Sequence, residues 1–424
     1  MTAAFAIRDA MNDIAEAPGK TWFWELERAV IDANRCIECG ACVAACPSDS
    51  LGVGADGLPK LVKMCTGCSL CWDFCPRGGL RYEALPRLVL GEEDVWKLTG
   101  NGSANGHENG HGNGNGNGHR GLGATREAWT ARVKTDIPGQ QDGGVVSALL
   151  IALLEAGELD GALLARQSGR EPWKGEAFLA RTPEEVVSCA GSFYNQTLAL
   201  AHLDLKKHAP DLPPNPRIAV VGTPCEIQGL RAMQARPWYW GASRVDAVVL
   251  TIALLCTKSF DYEGLMLREI QSQRGFPLAD VAKIDIIRGK LYVYGREGAT
   301  LVEEPIRAFH GAALKGCDEC ADFLGHVADI AVGSVGSADG WSSVLVRTEV
   351  GSRAFAAVRD RLDVRDLDKP QAIEKLDQLD KSVAFATLPR PFDPDAPLFI
   401  DYAEHVEHYA GTERAPVGHE PVRY

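Results

Sequence analysis

Apolar residues along this chain fall into runs of differing length, and the runs predict its elements. Val145 to Glu155 is apolar on almost every side, with the length and density of a buried helix. Shorter apolar runs predict strands at Gly161 to Ala165, Arg217 to Gly222, Val245 to Leu255, Lys283 to Ile287, Ala328 to Val332 and Ser343 to Arg347. Helices are expected between them. Thr182-Pro-Glu-Glu185 is a capping box with Pro at the first helical position, Pro224 opens a helix behind Gly222, and Phe260 to Gln273 continues the alternation. Such alternation predicts an α/β domain with a mainly parallel sheet. A further helix is expected around Trp22 to Asn34. After Pro389 the prolines at 391, 394 and 397 predict a tail that wraps the surface.

Composition divides the chain. Residues 100 to 123 hold ten Gly and six Asn with almost nothing apolar, so they build no core. The expected organisation is a small Cys-dense domain over 1–92, a flexible Gly/Asn/His linker over 93–127 and a large domain over 128–424. A flexible linker leaves the docking of the two domains open. The linker histidines His107, His111 and His119 have no rigid spacing and are read as solvated. The formal charge of −13 argues against general attraction to nucleic acid or anionic lipid. Apolar runs fall short of the ~20 residues that span a bilayer. Asp9, Asp13 and Glu16 sit where a secretory signal would be basic and then apolar, so a cytoplasmic protein is expected.

The 13 cysteines carry the chemistry. Cys36, Cys39, Cys42 and Cys46 precede Pro47, and Cys65, Cys68, Cys71 and Cys75 precede Pro76, each run with the spacing C-x2-C-x2-C-x3-C-P. Three thiolates at such intervals can ligate three irons of one cubane while the fourth crosses to the other cluster. One cluster is thus expected on Cys36, Cys39, Cys42 and Cys75, the other on Cys65, Cys68, Cys71 and Cys46. Zinc is the competing occupant of any paired CxxC. With two complete runs the segment resembles a bacterial two-cluster 4Fe-4S ferredoxin, of small α+β fold.

Four more cysteines lie at predicted strand ends or in a loop. Cys225 follows the strand ending at Gly222, Cys256 closes the next strand, and Cys317 and Cys320 form a CxxC before the strand at Ala328. Ends of parallel strands converge on one crevice, so these thiols could meet there and hold a third cluster. The alternative is ordinary buried cysteine, which is how Cys189 is read.

Gln141-Asp-Gly-Gly-Val-Val-Ser-Ala-Leu-Leu150, Val221-Gly-Thr-Pro-Cys-Glu-Ile-Gln228, Ala253-Leu-Leu-Cys256, Cys317-Asp-Glu-Cys-Ala-Asp-Phe323 and Ala328-Asp-Ile-Ala-Val-Gly-Ser-Val-Gly-Ser337 resemble, in order, the blocks of the family of coenzyme F420 hydrogenase/dehydrogenase beta subunits. The resemblance implies FAD, a third 4Fe-4S cluster on Cys225, Cys256, Cys317 and Cys320, and hydride exchange with the deazaflavin F420. It also implies a redox partner protein of hydrogenase, dehydrogenase or complex I-like type. Candidate FAD contacts are Gly143, Gly144 and Ser147 at a helix start, Thr223 beside Cys225, and Gly333, Ser334 and Gly336 after a strand. Thr223 could equally cap its helix, and the glycines could serve turns alone. Lys174, Arg231, Lys258 and Lys315 are candidate partners for an acidic coenzyme tail. No side chain is singled out as acid or base. Two alternatives keep the fold: a ferredoxin-linked reductase of an organic substrate such as a chlorophyll precursor, and an electron-relay protein without catalysis.

Overall fold

The apolar runs of the large domain become the middle of one eight-stranded sheet in the computed structural model, which describes residues 20–91, 121–236 and 244–418. Its strands are β3 (Glu127–Val133), β4 (Gly161–Gln167), β5 (Gly175–Ala180), β6 (Ile218–Gly222), β7 (Val248–Leu254), β11 (Ile330–Gly333), β12 (Ser342–Val346) and β13 (Leu362–Asp366), in the order β13-β3-β12-β11-β7-β6-β4-β5. The four central strands β11, β7, β6 and β4 are mutually parallel. Antiparallel pairing brings in the flanking strands, so that β3 runs with the central four while β5, β12 and β13 run against them. Every strand expected from the apolar runs of the sheet forms; the half-exposed β3, β5 and β13 had no such run.

A sheet this apolar must be covered on both faces. On one face lie α1 (Val145–Glu155) and α3 (Glu349–Val358), with Leu149, Leu153 and Phe355 packed on Ala219, Ile252 and Val344. On the other face α2 (Pro224–Ala235) packs on Val220 and Ala253. The ferredoxin-like segment shares that core through Ile37, Phe74, Leu80 and Leu85. It consists of short helices at Phe23–Leu26, Ala41–Ala45, Leu70–Asp73 and Leu85–Leu90 with the hairpin β1 (Leu51–Val53) and β2 (Pro59–Leu61). The helix expected over Trp22 to Asn34 runs from Phe23 to Ile31. A third unit, the antiparallel sheet of β8 (Val281–Ile287), β9 (Lys290–Gly295) and β10 (Thr300–Pro305), packs with the helical segment Glu263–Gln273 around Leu265, Ile270, Leu291 and Phe309.

Two expectations are corrected. The linker, drawn to residue 127, ends earlier: Leu122 is fully buried and the Leu122 and Ala124 carbonyls accept from Arg347 Nη1. Residues 93–120 lie outside the described residues. The tail does not wrap the surface. Leu398, Phe399 and Ile400 are buried, Arg81 N donates to the Leu398 carbonyl (2.7 Å) and Ile400 N to the Gly79 carbonyl (2.8 Å). Its prolines end α4 (Pro370–Thr387), and the apolar triplet after them then pairs with the ferredoxin-like segment before α5 (Tyr402–Tyr409).

On α4 the Asp377 side chain is 1 % exposed, and its two carboxylate oxygens have no hydrogen-bond partner among the described residues. Burial, reinforced by the Asp322 charge, pushes its carboxyl up to about 7. Folded Asp377 therefore keeps a proton that the unfolded chain releases near its ordinary pKa of about 4. The stability it contributes is complete below about pH 4 and is lost as pH rises through about 7. Asp377→Asn should thus gain on the wild type between about pH 5 and about pH 8 in chemical-denaturation midpoints; an equal difference at both pH values would show that Asp377 does not titrate there.

Candidate metal centres and crevice

The two ferredoxin-like runs adopt the same backbone course. Glu38 and Gly67, each two residues after the first Cys, are left-handed (φ 53° and 65°), as are Gly40 and Ser69 (φ 80° and 67°). That curl turns the backbone N–H of Glu38 toward Cys36 Sγ (3.4 Å) and of Gly67 toward Cys65 Sγ (3.3 Å). Cys46 Sγ likewise accepts from Ser50 N (3.2 Å). Cys46, Cys65, Cys68 and Cys71 line one pocket with Thr21, Ser48 and Ser50. Cys36, Cys39 and Cys42 gather with Cys75. Burial drives their thiols up, Cys39 to about 12, and each is pushed further by the charge of Cys75. For Cys71 the pressing neighbours after burial are Cys68, Cys65 and Cys46. The fourth Cys of each run therefore faces the other run's first three.

Among the described residues no three His, Cys, Asp or Glu side chains converge tightly enough for a single ion. Zinc draws four ligands to about 2.3 Å from one point. A cubane is a solid body and spaces its thiolates around a volume. Thiolate donors in sets of four are the soft set that iron-sulfur clusters take.

The large-domain thiols also meet. Cys225 lies in the first turn of α2, Cys256 just beyond β7, and Cys317 and Cys320 on the turn Lys315–Glu319 and its end. Burial raises the Cys225 thiol well above the ordinary range, Cys256 to about 12 and Cys317 less, and the charge of Cys320 adds to each. Thr223 Oγ1 sits 3.1 Å from Cys225 Sγ, and Ser259 N donates to Cys317 Sγ (3.5 Å). Gln196, which the sequence did not single out, ties Thr223 (3.2 Å) to Ser259 (2.7 Å). Lys381 is buried beside Cys256 and Cys320, its Nζ donating to the Thr257 carbonyl (2.9 Å). No spacing marked either residue. Cys189 packs with the core on the opposite face, as expected of a structural cysteine.

The three thiol sets follow one another. Cys75 acts on Cys71 and Cys42, and Cys39 acts on Cys225. Phe260 and Asp261 join Trp173, Tyr194, Tyr262 and Ile284 of β8 in lining an aromatic pocket.

The candidate FAD contacts divide. Gly143, Gly144 and Ser147 after β3 and Gly333 and Ser334 after β11 lie at the carboxyl ends of strands that run together, in a row with Cys256 and Cys225. Asp142 borders that row. Burial, and then the charge of Asp285 from β8, lifts its carboxyl to about 6. Gly143 is required by packing, since a Cβ would come 2.4 Å from the Ala131 carbonyl. Gly336 is a turn residue (φ 93°) whose Cβ would strike Ile373 at 2.6 Å. Thr223 caps α2: Glu226 Oε2 accepts from Thr223 N (2.7 Å) and from its hydroxyl (3.1 Å). Of the candidate cations, Arg231 is committed to Asp329 (2.8 Å) and to the Val327 carbonyl (2.9 Å). Lys174, Lys258 and Lys315 are paired with Glu171, Asp318 and Glu413 nearer the surface.

Comparison with known proteins agrees with this geometry. The family models for the N-terminal and C-terminal parts of the coenzyme F420 hydrogenase/dehydrogenase beta subunit match residues 128–204 and 215–370, and that for a 4Fe-4S dicluster domain matches 29–81. The coenzyme F420-dependent sulfite reductase of Methanocaldococcus jannaschii is 30% identical over 84% of this chain, which spans only 50% of that protein's length. A component of the F(420)H(2) dehydrogenase of Methanosarcina mazei is 29% identical over 80% of this chain and 87% of its own. In solved structures, a chain of the F420-reducing NiFe hydrogenase complex of Methanosarcina barkeri superposes with a TM-score of 0.59 at 28% identity, covering 65% of this chain and 96% of that one. The chain belongs to the family of coenzyme F420 hydrogenase/dehydrogenase beta subunits and carries a 4Fe-4S dicluster domain on its N-terminal side.

Proposed function

We propose that this protein exchanges hydride between coenzyme F420 and a bound FAD and passes single electrons through three 4Fe-4S clusters to a partner protein. The observation that carries this reading is the succession of the three four-thiol sets, which begins beside the crevice and ends at the surface. When bound, the flavin would supply the conversion between a hydride pair and single electrons, and the clusters would carry those electrons one at a time.

This chain's residues supply the rest. Cys225, Cys256, Cys317 and Cys320 would hold the innermost cluster; Cys36, Cys39, Cys42 and Cys75 the middle one; Cys46, Cys65, Cys68 and Cys71 the outermost. Gly143, Gly144, Ser147, Gly333 and Ser334, at the carboxyl ends of strands that run together, would line the place where a flavin lies. Of the outermost four, Cys68 is exposed, and the exposed Val62 and Met64 adjoin the Cys65 to Cys68 loop, which makes this end the exit toward a partner. Names of the relatives, an F420-dependent sulfite reductase and part of an F(420)H(2) dehydrogenase, support F420 as the coenzyme. Among the described residues no helix is long and apolar enough to cross a membrane.

Anaerobic protein loaded with iron and FAD, mixed with reduced F420, should bleach its flavin absorbance stoichiometrically and then its cluster absorbance. A fully loaded protein that stays oxidised under this treatment overturns the reading.

A further inference from the structure

One buried charge stands between two of the thiol sets with no carboxylate of its own among the described residues. Arg77 follows Cys75 and Pro76 and is 2 % exposed. Its Nε donates to the Gly316 carbonyl (2.6 Å) and Nη1 to the Pro76 carbonyl (2.7 Å), while Nη2 has no hydrogen-bond partner among the described residues. Other buried cations are answered: Arg35 by Glu319, Arg390 by Glu83, Lys381 by Asp380. Arg347, which also lacks an ion pair among the described residues, has its nitrogens spent on the Leu122, Ala124 and Leu324 carbonyls and the Thr125 hydroxyl. An unpaired guanidinium in a dry interior is costly, so a counter-charge is required. Glu319, the nearest carboxylate in electrostatic reach, is already bound by Arg35 and by Tyr409. The Tyr82 phenol beside Arg77 is held neutral by burial and donates to the Glu319 carbonyl (2.7 Å). What remains around Arg77 is sulfur. It acts on Cys39 and Cys75 on one side and on Cys225, Cys317 and Cys320 on the other.

We propose that Arg77 is the shared counter-ion of two clusters, one held by Cys36, Cys39, Cys42 and Cys75 and the other by Cys225, Cys256, Cys317 and Cys320. The proposal rests on the ligand sets given above. A cluster gains negative charge when reduced, so a fixed cation beside it favours the reduced form and raises its potential. Standing between two clusters, Arg77 does this for both, and it lessens the repulsion that an electron on one exerts on an electron arriving at the other. The unspent Nη2 adds a donor that a cluster sulfur can accept from, a second means of raising a potential.

The test is a redox titration of the full-length holoprotein followed by electron paramagnetic resonance, on wild type, Arg77→Gln and Arg77→Lys. Iron is counted first: a wild type far from about twelve irons refutes the ligand sets rather than the counter-ion. With iron in place, Arg77→Gln should move two midpoints to more negative values and leave the third, on Cys46, Cys65, Cys68 and Cys71, where it was. Arg77→Lys should hold all three. The proposal is overturned if Gln moves none of them, if it moves all three alike, or if Lys moves two as far as Gln does. Should Arg77→Gln fail to retain its iron, Arg77→Lys decides: unchanged midpoints uphold the proposal and shifted ones defeat it.

Discussion

Cys75→Ala should abolish the cluster whose other thiols are Cys36, Cys39 and Cys42, and spare the cluster of its own run. Iron is expected to fall from about twelve to about eight per chain, and the converse variant, Cys46→Ala, should remove the cluster at Cys65, Cys68 and Cys71. The reason is spatial. Cys75 adds its charge to Cys36, Cys39 and Cys42, whereas Cys46 acts on Cys68 and, ahead of Cys75, on Cys71. Cys75→Ala removes the middle member of the succession, so electrons entering at the crevice should reach only the innermost cluster. Reduced F420 should then still bleach the flavin, while the Cys46, Cys65, Cys68 and Cys71 cluster stays oxidised. If Cys75→Ala instead silences the signal of the cluster at Cys65, Cys68 and Cys71, the crossed assignment is wrong.

Glu319→Ala is expected to cost about 3–5 kcal/mol, because it leaves the Arg35 charge buried and unanswered. Arg35 precedes the first Cys of the ferredoxin-like runs, and Glu319 stands between Cys317 and Cys320. Nε and Nη2 of Arg35 reach the two Glu319 oxygens at 2.9 and 2.7 Å, both residues are 1 % exposed, and Tyr409 of α5 adds its hydroxyl (2.7 Å). Although burial opposes ionisation, the Arg35 guanidinium holds the Glu319 carboxyl below its ordinary range. Backbones meet at the same place: a Cβ on Gly316 would lie 2.2 Å from the Arg35 carbonyl. The pair thus fixes the loop of Cys36, Cys39 and Cys42 against that of Cys317 and Cys320. Electron transfer falls steeply with separation, so the same variant should slow transfer between those two clusters even where both are loaded. Denaturant unfolding of the holoprotein measures the first effect and freeze-quenched reduction the second. A midpoint equal to wild type would mean that the interface is held by its apolar core alone.

Two kinds of information separate cleanly in this chain. The cysteine runs were legible because ligand spacing within a loop is a local property, repeated twice, and the left-handed positions at Glu38 and Gly67 show the same loop being built each time. Central strands were legible because burial on both faces demands continuous apolar runs. Strands β9 and β10 went unread because their sheet is half solvated and carries Tyr292, Glu303 and Glu304. Thr223 was ambiguous because capping and ligand contact use the same hydroxyl; the structure shows the capping contact with Glu226.

Short-range spacing in the amino-acid sequence was enough for the two cysteine runs, the parallel centre of the sheet and the family. Three-dimensional packing was needed to establish that the Cys-dense segment is no loosely tethered module. It covers the second face of the sheet and is locked there by Arg35, Arg77 and the 398–400 segment. Those contacts join residues more than two hundred positions apart through single side chains. A Gly-rich connection records only that the chain between is free to reach; whether the surfaces it joins fit each other is written in residues that share no pattern until they meet.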